Sequence, residues 1–296
     1  MPSPPQLRLF IIQTEIFLLL SLQTITQTTN LKAFISKPLF VFACLFSLAA
    51  NAHFQMLYTP DLLHEKSGAI SFKMPFTHPA ASGHVMTVDK PEAFYMIKKG
   101  KKTDLINTIS EIEWESALDK GPAYQAQAKL RGLGDYVFIV KPAPYFEAVE
   151  DIYIQQITKT IVNVGNLPTD WNKDFGLSAE IVPLTKPYAI YEGGIFSAVV
   201  KSRGVPVPFA AVEVEFMNYL PDMQKNHFAK QPVMTPPSDI FVTQTIHADA
   251  NGTFHFSLLK AGQWGFAALG IGEDKTYKGK LLSQDAVIWV QATKLP

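Results

Sequence analysis

The chain has 296 residues, of which 47% are hydrophobic and 12% aromatic, so it is long enough for two ordinary domains with filled cores. This composition excludes a disordered or collagen-like protein. The 26 Lys and Arg residues balance the 26 Asp and Glu residues, and no run of like charge stands out, which argues against a nucleic-acid-binding protein.

The first 52 residues predict an export signal. Lys32 and Lys37 precede the apolar run PLFVFACLFSLAA at residues 38–50, and Ala50-Asn51-Ala52 places small residues where a signal peptidase cuts. The run is too short to span a membrane, which takes about 20 residues. We therefore expect cleavage after Ala52, export to the periplasm and a mature protein that begins at His53.

Residues 1–30 fit this interpretation less well. The apolar segment LRLFIIQTEIFLLLSL is interrupted by Gln13 and Glu15 and lies upstream of a complete signal. A misassigned start codon would explain it, and so would a genuine membrane helix. Cys44, the only cysteine, falls inside the apolar run at residues 38–50, so the mature chain would contain none and would need no disulfide in an oxidising compartment.

From His53 onward, short β-like runs alternate with turn residues and predict an all-β fold. In the first half, the candidate strands are residues 69–74, 93–99, 123–130, 135–141 and 152–164. Apolar and polar residues partly alternate in several of them, as expected for a sheet with one buried face. The segment LINTISEIEWESALDK at residues 105–120 is the best helical candidate, with a loop as the alternative.

A cluster of Gly, Pro, Asn and Asp at residues 165–176 indicates a domain boundary. We expect an N-terminal β-sandwich over residues 53–167, a linker over 168–180 and a second β-sandwich over 181–296. In the second half, the candidate strands lie within residues 195–218, 241–270 and 283–294, with a hairpin turn at residues 249–252. The predicted fold is thus two β-sandwich domains, immunoglobulin-like or transthyretin-like, in series after a cleaved signal peptide.

The placement of histidines is the most informative feature for function. All seven lie in the mature chain, and four fall in its first 32 residues: His53, His64, His78 and His84. Cleavage after Ala52 would give His53 a free amine with a pKa of about 7.7–8.0, which a metal can deprotonate at neutral pH. Amine and imidazole would then chelate one metal ion, with His78 and His84 supplying further nitrogens.

Other side chains have a structural interpretation beside the functional one. His64 is typical of a solvated turn, and Glu147, within PAPYFEAVED at residues 142–151, could complete a metal shell or be a solvated loop acid. Four methionines are expected in the core and three histidines at the surface: Met56, Met74, Met86, Met96, His227, His247 and His255. No catalytic motif is present, so we predict neither an enzyme nor an organic cofactor.

The mature chain resembles the periplasmic component of cobalt/nickel uptake transporters of the energy-coupling-factor type. The motifs that carry this resemblance occur in order from residue 53 to residue 269: HFQMLYTP, FTHP, GHVM, PAPYFEAVED, EIVPLTKPYAIYEGGIF, VPVPFAAVEVEF, PSDIFVTQ and AGQWGFAAL. The second half, with VPVPFAAVEVEF, DANGTFHF and AGQWGFAAL, also looks like a transthyretin-like or carboxypeptidase-regulatory-like sandwich. Such modules pack, space or bind, and for the second half of this chain the resemblance implies a structural role.

The resemblance implies an exported protein that captures Ni(II) or Co(II) and presents the ion to a membrane permease. The resemblance also implies that the metal ligands are His53, His78 and His84. One departure is that the family has a histidine before the Thr158-Lys159 pair, where this chain reads Gln155-Gln156-Ile157. Two alternatives stay open, namely a copper protein with a histidine brace and a metal-free adhesion or ligand-binding sandwich.

Overall fold

The computed structural model describes residues 53–296, so the predicted signal sequence, its cleavage site and the apolar segment of residues 1–30 lie outside the described residues. The strands of the first half are β1 (Phe54–Gln55), β2 (Leu63–His64), β3 (Ala69–Met74), β4 (Phe76–Thr77), β5 (Ala93–Lys98), β6 (Lys101–Asp104), β7 (Ser110–Glu115), β8 (Lys120–Lys129), β9 (Gly134–Lys141), β10 (Tyr145–Glu147) and β11 (Ile152–Val164). Those of the second half are β12 (Glu180–Pro183), β13 (Ile190–Tyr191), β14 (Ile195–Ser202), β15 (Val205–Pro206), β16 (Ala211–Phe216), β17 (Pro221–Asp222), β18 (His227–Phe228), β19 (Thr243–His247), β20 (Thr253–Ser257), β21 (Gly262–Ala268), β22 (Thr276–Tyr277) and β23 (Lys280–Thr293).

The predicted all-β class is confirmed, because the helical segments within residues 53–296 are two 3₁₀ turns, Ile106–Thr108 and Asp239–Phe241. No helix in this part of the chain is long and apolar enough to cross a membrane. The strand predictions at residues 69–74 and 152–164 coincide with β3 and β11. Both runs have the β-branched and aromatic content that favours a pleated, half-buried surface.

The helical prediction for residues 105–120 is wrong. After the single 3₁₀ turn, residues 110–115 form β7, which pairs with β8. The sequence SEIEWE alternates apolar and acidic side chains with a period of two, which places Ile112 and Trp114 on one face and the glutamates on the other. Trp114 is fully buried and packs edge-on against Phe228, and this burial favours the strand over a helix.

A 12-stranded sheet, in the order β19-β16-β21-β23-β11-β9-β5-β6 with four short strands attached, forms the centre of the described structure. Its register pairs Val137 with Ile161, and it places Phe266 and Lys159 opposite Ile288. Val137 therefore shares a face with Phe266, and Phe138, its neighbour along β9, lies on the opposite face. Phe72 of the five-stranded sheet contacts Phe138, whereas Phe196 of the four-stranded sheet contacts Phe266, so these two smaller sheets cover opposite faces.

Strands from both sides of the predicted domain boundary share this large sheet. β11 lies before the boundary and β23 near the C-terminus, yet they pair in parallel from Tyr153–Leu282 to Thr160–Trp289. The predicted linker is also packed, because the carboxylate of Asp135 accepts hydrogen bonds from the backbone N–H groups of Thr169, Asp170 and Trp171. Residues 53–296 all belong to one compact unit, and the division into two domains stays a prediction.

Candidate metal centre

The first described residues run across one face of the large sheet, where alternate side chains of β11 hold their backbone. Gln156 donates from Nε2 to the carbonyl of His53 over 2.7 Å and accepts from the N–H of Gln55 over 2.8 Å. Thr160 donates to the carbonyl of Leu57 over 2.8 Å. Since Gln156 and Thr160 share a face of β11, the period of the strand sets the spacing of these contacts. The position of His53 is thereby fixed against the sheet.

His53 and His78 lie side by side at this edge of the structure. Their ring centroids are 4.4 Å apart, and the ring of His53 also lies 5.5 Å from Phe76 and 5.8 Å from Tyr145. β1 pairs with β4, and the register places Phe54 opposite Thr77, so each histidine sits next to this pair of strands. Residues 25 apart in the sequence therefore bring two imidazoles together.

The environment of His53 favours a neutral ring. Burial, followed by the proximity of His78, lowers the pKa of His53 to about 3. A neutral imidazole has a free lone pair, which is the form that ligates metals. Nε2 of His53 lies 3.8 Å from Oε2 of Glu147, and both side chains are mostly buried. The ring thus stays uncharged beside a carboxylate. This arrangement would favour a cation bound between the two groups.

The loop after His78 is held closely in place. The backbone N–H groups of Ala81 and Gly83 both donate to the carbonyl of His78. A Cβ atom at Gly83 would lie 2.9 Å from Cβ of His78, closer than side chains pack, so only glycine lets the loop fold back at this position. The N–H of Ala80 donates to the buried carboxyl group of Glu215 on β16 over 3.3 Å. Glu215 thus anchors the loop that carries His78 to the large sheet.

His84, the third predicted ligand, is engaged elsewhere. Its Nδ1 lies 2.7 Å from Oδ2 of Asp119, and its side chain is 67% exposed. His64 ends strand β2 rather than lying in the expected solvated turn, and its Nε2 is 3.0 Å from the carbonyl oxygen of Asp61. Met56 and Met74 are buried in the core as expected. Of the three predicted ligands, the structure brings His53 and His78 together, and the role of His84 stays a prediction.

A cleft of about 190 Å³ opens next to His53 and is lined by carboxyl groups. Glu147 and Glu150 come from the segment singled out in the sequence, whereas Glu213 on β16 and Asp285 on β23 were not predicted. Burial, with repulsion from Asp285 and Glu150, raises the pKa of Glu213 to about 7. Burial raises the pKa of Asp285 to about 6, although its hydrogen bonds from Gly270, Ser283 and Gln156 oppose the shift. The cleft is therefore a crowded acidic environment.

Within residues 53–296, no group of three or more His, Cys, Asp or Glu side chains is arranged to hold a metal ion by itself. His53, His78 and Glu147 nevertheless provide two imidazoles and one carboxylate in the same neighbourhood. Cleavage after Ala52 would add the amine of His53 as a further nitrogen. The arrangement offers nitrogen donors to a late divalent transition metal, with nearby carboxylates that attract the cation electrostatically.

Glu215 should make folding stability depend on pH. Burial raises its pKa to about 8 from 4.5, so the folded state binds a proton that the unfolded state lacks between these values, and stability falls as pH rises through this window. Relative to acidic pH, this proton linkage lowers the free energy of unfolding by about 3 kcal/mol at pH 7 and by about 5 kcal/mol above pH 9. Glu215→Gln mimics the protonated acid, and we expect it to stabilise the protein at pH 7 and above and to flatten the dependence.

Urea unfolding at pH 5, 7 and 9 measures this effect, with the exposed Glu65→Gln as the matched control. The gain from Glu215→Gln should grow with pH, whereas the control should show no such trend. A Glu215→Gln protein that is less stable than the native one at pH 9 would contradict the argument.

The family model described as "Domain of unknown function (DUF4198)" matches residues 50–272. No curated protein matches the chain. Among solved structures, the D0-D1 domain of Intimin is 12% identical, with 79% of this chain and 96% of that chain covered and a TM-score of 0.20. Trypsin-activated alpha-2-macroglobulin from Escherichia coli is 10% identical, with 82% and 16% covered and a TM-score of 0.21. At these TM-scores, neither likeness bears on the fold or the function.

Proposed function

The chain belongs to the DUF4198 family, and we propose that it is an exported periplasmic protein that binds a transition-metal ion, Ni(II) or Co(II), and delivers it to a membrane uptake permease of the energy-coupling-factor type. The ion is cargo in this proposal, and no catalytic residue is assigned. The motifs from HFQMLYTP to AGQWGFAAL suggest the transport context. The binding of a metal is argued from the site itself.

One observation carries the proposal: the imidazoles of His53 and His78 lie 4.4 Å apart at the residue where signal-peptide cleavage would create a new amino terminus. After cleavage, the amine and the ring of His53 would chelate the ion, and His78 would supply a further nitrogen. Gln156 donates to the carbonyl of His53 and accepts from the N–H of Gln55, so it holds this backbone in place. Little conformational entropy would then be lost when the metal binds.

The charges around the site support a cationic cargo. Glu147 is 3.8 Å from the His53 ring, and Glu150, Glu213 and Asp285 line the adjoining cleft. Opposite charge within a few ångströms attracts a divalent cation, most strongly where water is partly excluded. The low pKa of His53 also means that the metal would not compete with a proton on the ring near neutral pH.

Copper is the second candidate cargo, because the ring of His84 is paired with Asp119 and is left out of this donor set. The remaining nitrogens would be one amine and two imidazoles, which is the donor set of a histidine brace. Affinity for nitrogen ligands rises from cobalt through nickel to copper, so this donor set alone favours copper. Selection of nickel or cobalt would then depend on geometry or on the supply of the ion.

The decisive experiment is intact-mass and metal analysis on one sample of the protein recovered from its exporting host. The proposal expects a mass that starts at His53 and stoichiometric Ni or Co. Stoichiometric copper would support the second candidate. Absence of metal, together with no heat on titration with Ni(II), Co(II), Cu(II) or Zn(II), would favour a metal-free adhesion or ligand-binding sandwich and overturn the proposal.

Variants at the two loop histidines test which nitrogens bind. We expect His78→Ala to weaken Ni(II) or Co(II) binding by 10-fold or more, roughly the loss of one good ligand. His84→Ala is the matched control, since its ring pairs with Asp119, and it should change affinity less than threefold, or about 0.6 kcal/mol. Isothermal titration of both proteins gives the answer. If both variants lose affinity for the metal equally, His84 is a metal ligand as well.

A further inference from the structure

A second charged feature lies at the other end of β11 from His53. Lys98, Lys101, Lys129 and Arg131 line a groove of about 430 Å³ whose apolar lining includes Met96 and Leu105. The expectation that no run of like charge stands out is wrong here, because KKGKK at residues 98–102 forms the hairpin between β5 and β6. Lys99 and Gly100 both have positive φ, which a tight hairpin turn requires. We call this feature the basic groove.

The cations of the basic groove lack acidic partners. None of the ion pairs within residues 53–296 includes Lys98, Lys101, Lys129 or Arg131. Lys98 and Lys101 are direct cross-strand partners, and like charges placed opposite each other destabilise a sheet. Lys98 is also held in the groove by hydrogen bonds to the hydroxyl of Tyr136 and the carbonyl of Arg131. A bound anion would offset the repulsion between Lys98 and Lys101.

Edge protection explains only part of this pattern. β6 is the edge strand of the large sheet, and lysines on edge strands commonly discourage aggregation. That role fits Lys101. It does not fit Arg131, which follows β8 outside any strand. Lys129 belongs to the five-stranded sheet, where it pairs with Ala69 of β3 but lies beyond the stretch of β8 that pairs with β7. Two sheets therefore contribute cations to one groove.

Exposed leucines surround the same end of the molecule. Leu63, Leu133 and Leu167 are 44%, 51% and 44% exposed. Leu63 pairs with Asn163, Asn163 donates to the carbonyl of Leu167, and the side chain of Leu133 covers Gly165. Leu133 lies two residues after Arg131, whose carbonyl accepts a hydrogen bond from Lys98, so this leucine lies close to the basic groove in the chain. Cations beside exposed apolar side chains are the combination that binds an anionic membrane surface.

We propose that the basic groove and the leucines around it dock the protein on anionic phospholipid, with Lys98, Lys101, Lys129 and Arg131 contacting phosphate groups and Leu63, Leu133 and Leu167 entering the interface. This inference does not depend on the metal proposal. Gln156 and Val164 are eight residues apart along β11, about 26 Å, so docking through this end would leave the His53 site facing away from the lipid.

Flotation with vesicles tests the docking surface on the protein recovered from the exporting host. We expect binding to phosphatidylcholine vesicles that contain phosphatidylglycerol, no binding to pure phosphatidylcholine, and loss of binding as salt rises. Each lysine near an anionic surface is worth about fivefold in affinity, so the double variant Lys101→Gln/Lys129→Gln should bind about 30-fold more weakly. Leu133→Ser should also weaken binding.

The matched control is Lys230→Gln/Lys294→Gln, which removes the same charge from exposed positions outside the groove and should bind within twofold of the native protein. Circular dichroism verifies that all variants fold. Equal loss in both double variants, or no preference for anionic vesicles, would overturn the proposal. Titration with inorganic phosphate distinguishes a lipid phosphate group from a free phosphate ion as the ligand. If phosphate binds in the basic groove and vesicles do not bind, the ligand is a free anion and the membrane assignment is overturned.

Discussion

A protein that begins at His53 is expected to bind Ni(II) or Co(II) roughly 100-fold more tightly than one that retains Ala52, a difference of about 2.8 kcal/mol. The retained residue converts the amine of His53 into an amide, which is a poor donor to these ions at neutral pH. It also breaks the chelate between backbone nitrogen and ring. The imidazoles of His53 and His78 stay 4.4 Å apart in either form, so the comparison isolates the amine.

Titration calorimetry on the two forms at neutral pH measures the difference. A form with one extra residue after Pro296 is the matched control, and it should bind as the unextended protein does. Near-ultraviolet circular dichroism should be alike in all three, because Gln156 holds the carbonyl of His53 whether or not a residue precedes it. If the form that retains Ala52 binds the metal as tightly, the amine is not a ligand and the ion is held by side chains alone.

The strands were the most predictable part of the fold. β3 and β11 coincide with the sequence predictions because strand periodicity and β-branched content are local signals. The wrong helix at residues 105–120 has a local cause too. Its glutamates are good helix formers, but the alternation in SEIEWE and the burial of Trp114 against Phe228 override that propensity. Tertiary burial decides such cases.

The site was only partly predictable, because its members come from distant strands. His53 and His78 could be chosen from their type and from the cleavage site, and the structure brings them together. Glu213 and Asp285 could not, since they join Glu147 only through the register of β16, β21, β23 and β11. The pairing of His84 with Asp119, 35 residues away, is likewise invisible in the sequence.

Sequence patterns also did not predict the ion pair in the interior. Lys159 lies within the buried part of β11. Its Nζ is 2.7 Å from Oε1 of Glu180, and the two side chains are only 2% and 0% exposed. The other oxygen of Glu180 accepts hydrogen bonds from the backbone N–H groups of Phe175 and Leu177. A buried ion pair thus connects β11 to β12, on opposite sides of the predicted domain boundary.

Breaking this pair should be strongly destabilising. We expect Lys159→Met to lower the free energy of unfolding by roughly 3–5 kcal/mol, because it leaves the charge of Glu180 buried without a partner. The double variant Lys159→Met/Glu180→Gln should recover most of the loss, since Gln is neutral and its carbonyl oxygen can still accept from the backbone. Urea unfolding of both proteins measures the change.

Lys120→Met is the matched control, since Lys120 forms an ion pair of 3.0 Å with Glu115 on the surface, where side chains are half-exposed and water screens the charges. It should leave stability almost unchanged. A Lys159→Met protein as stable as this control would mean that water reaches Glu180 or that its carboxyl group is neutral. Lys159→Met could instead split unfolding into two transitions. That result would mean that the ion pair makes the segments on either side of residues 168–180 unfold together, and that the shared sheet alone does not suffice.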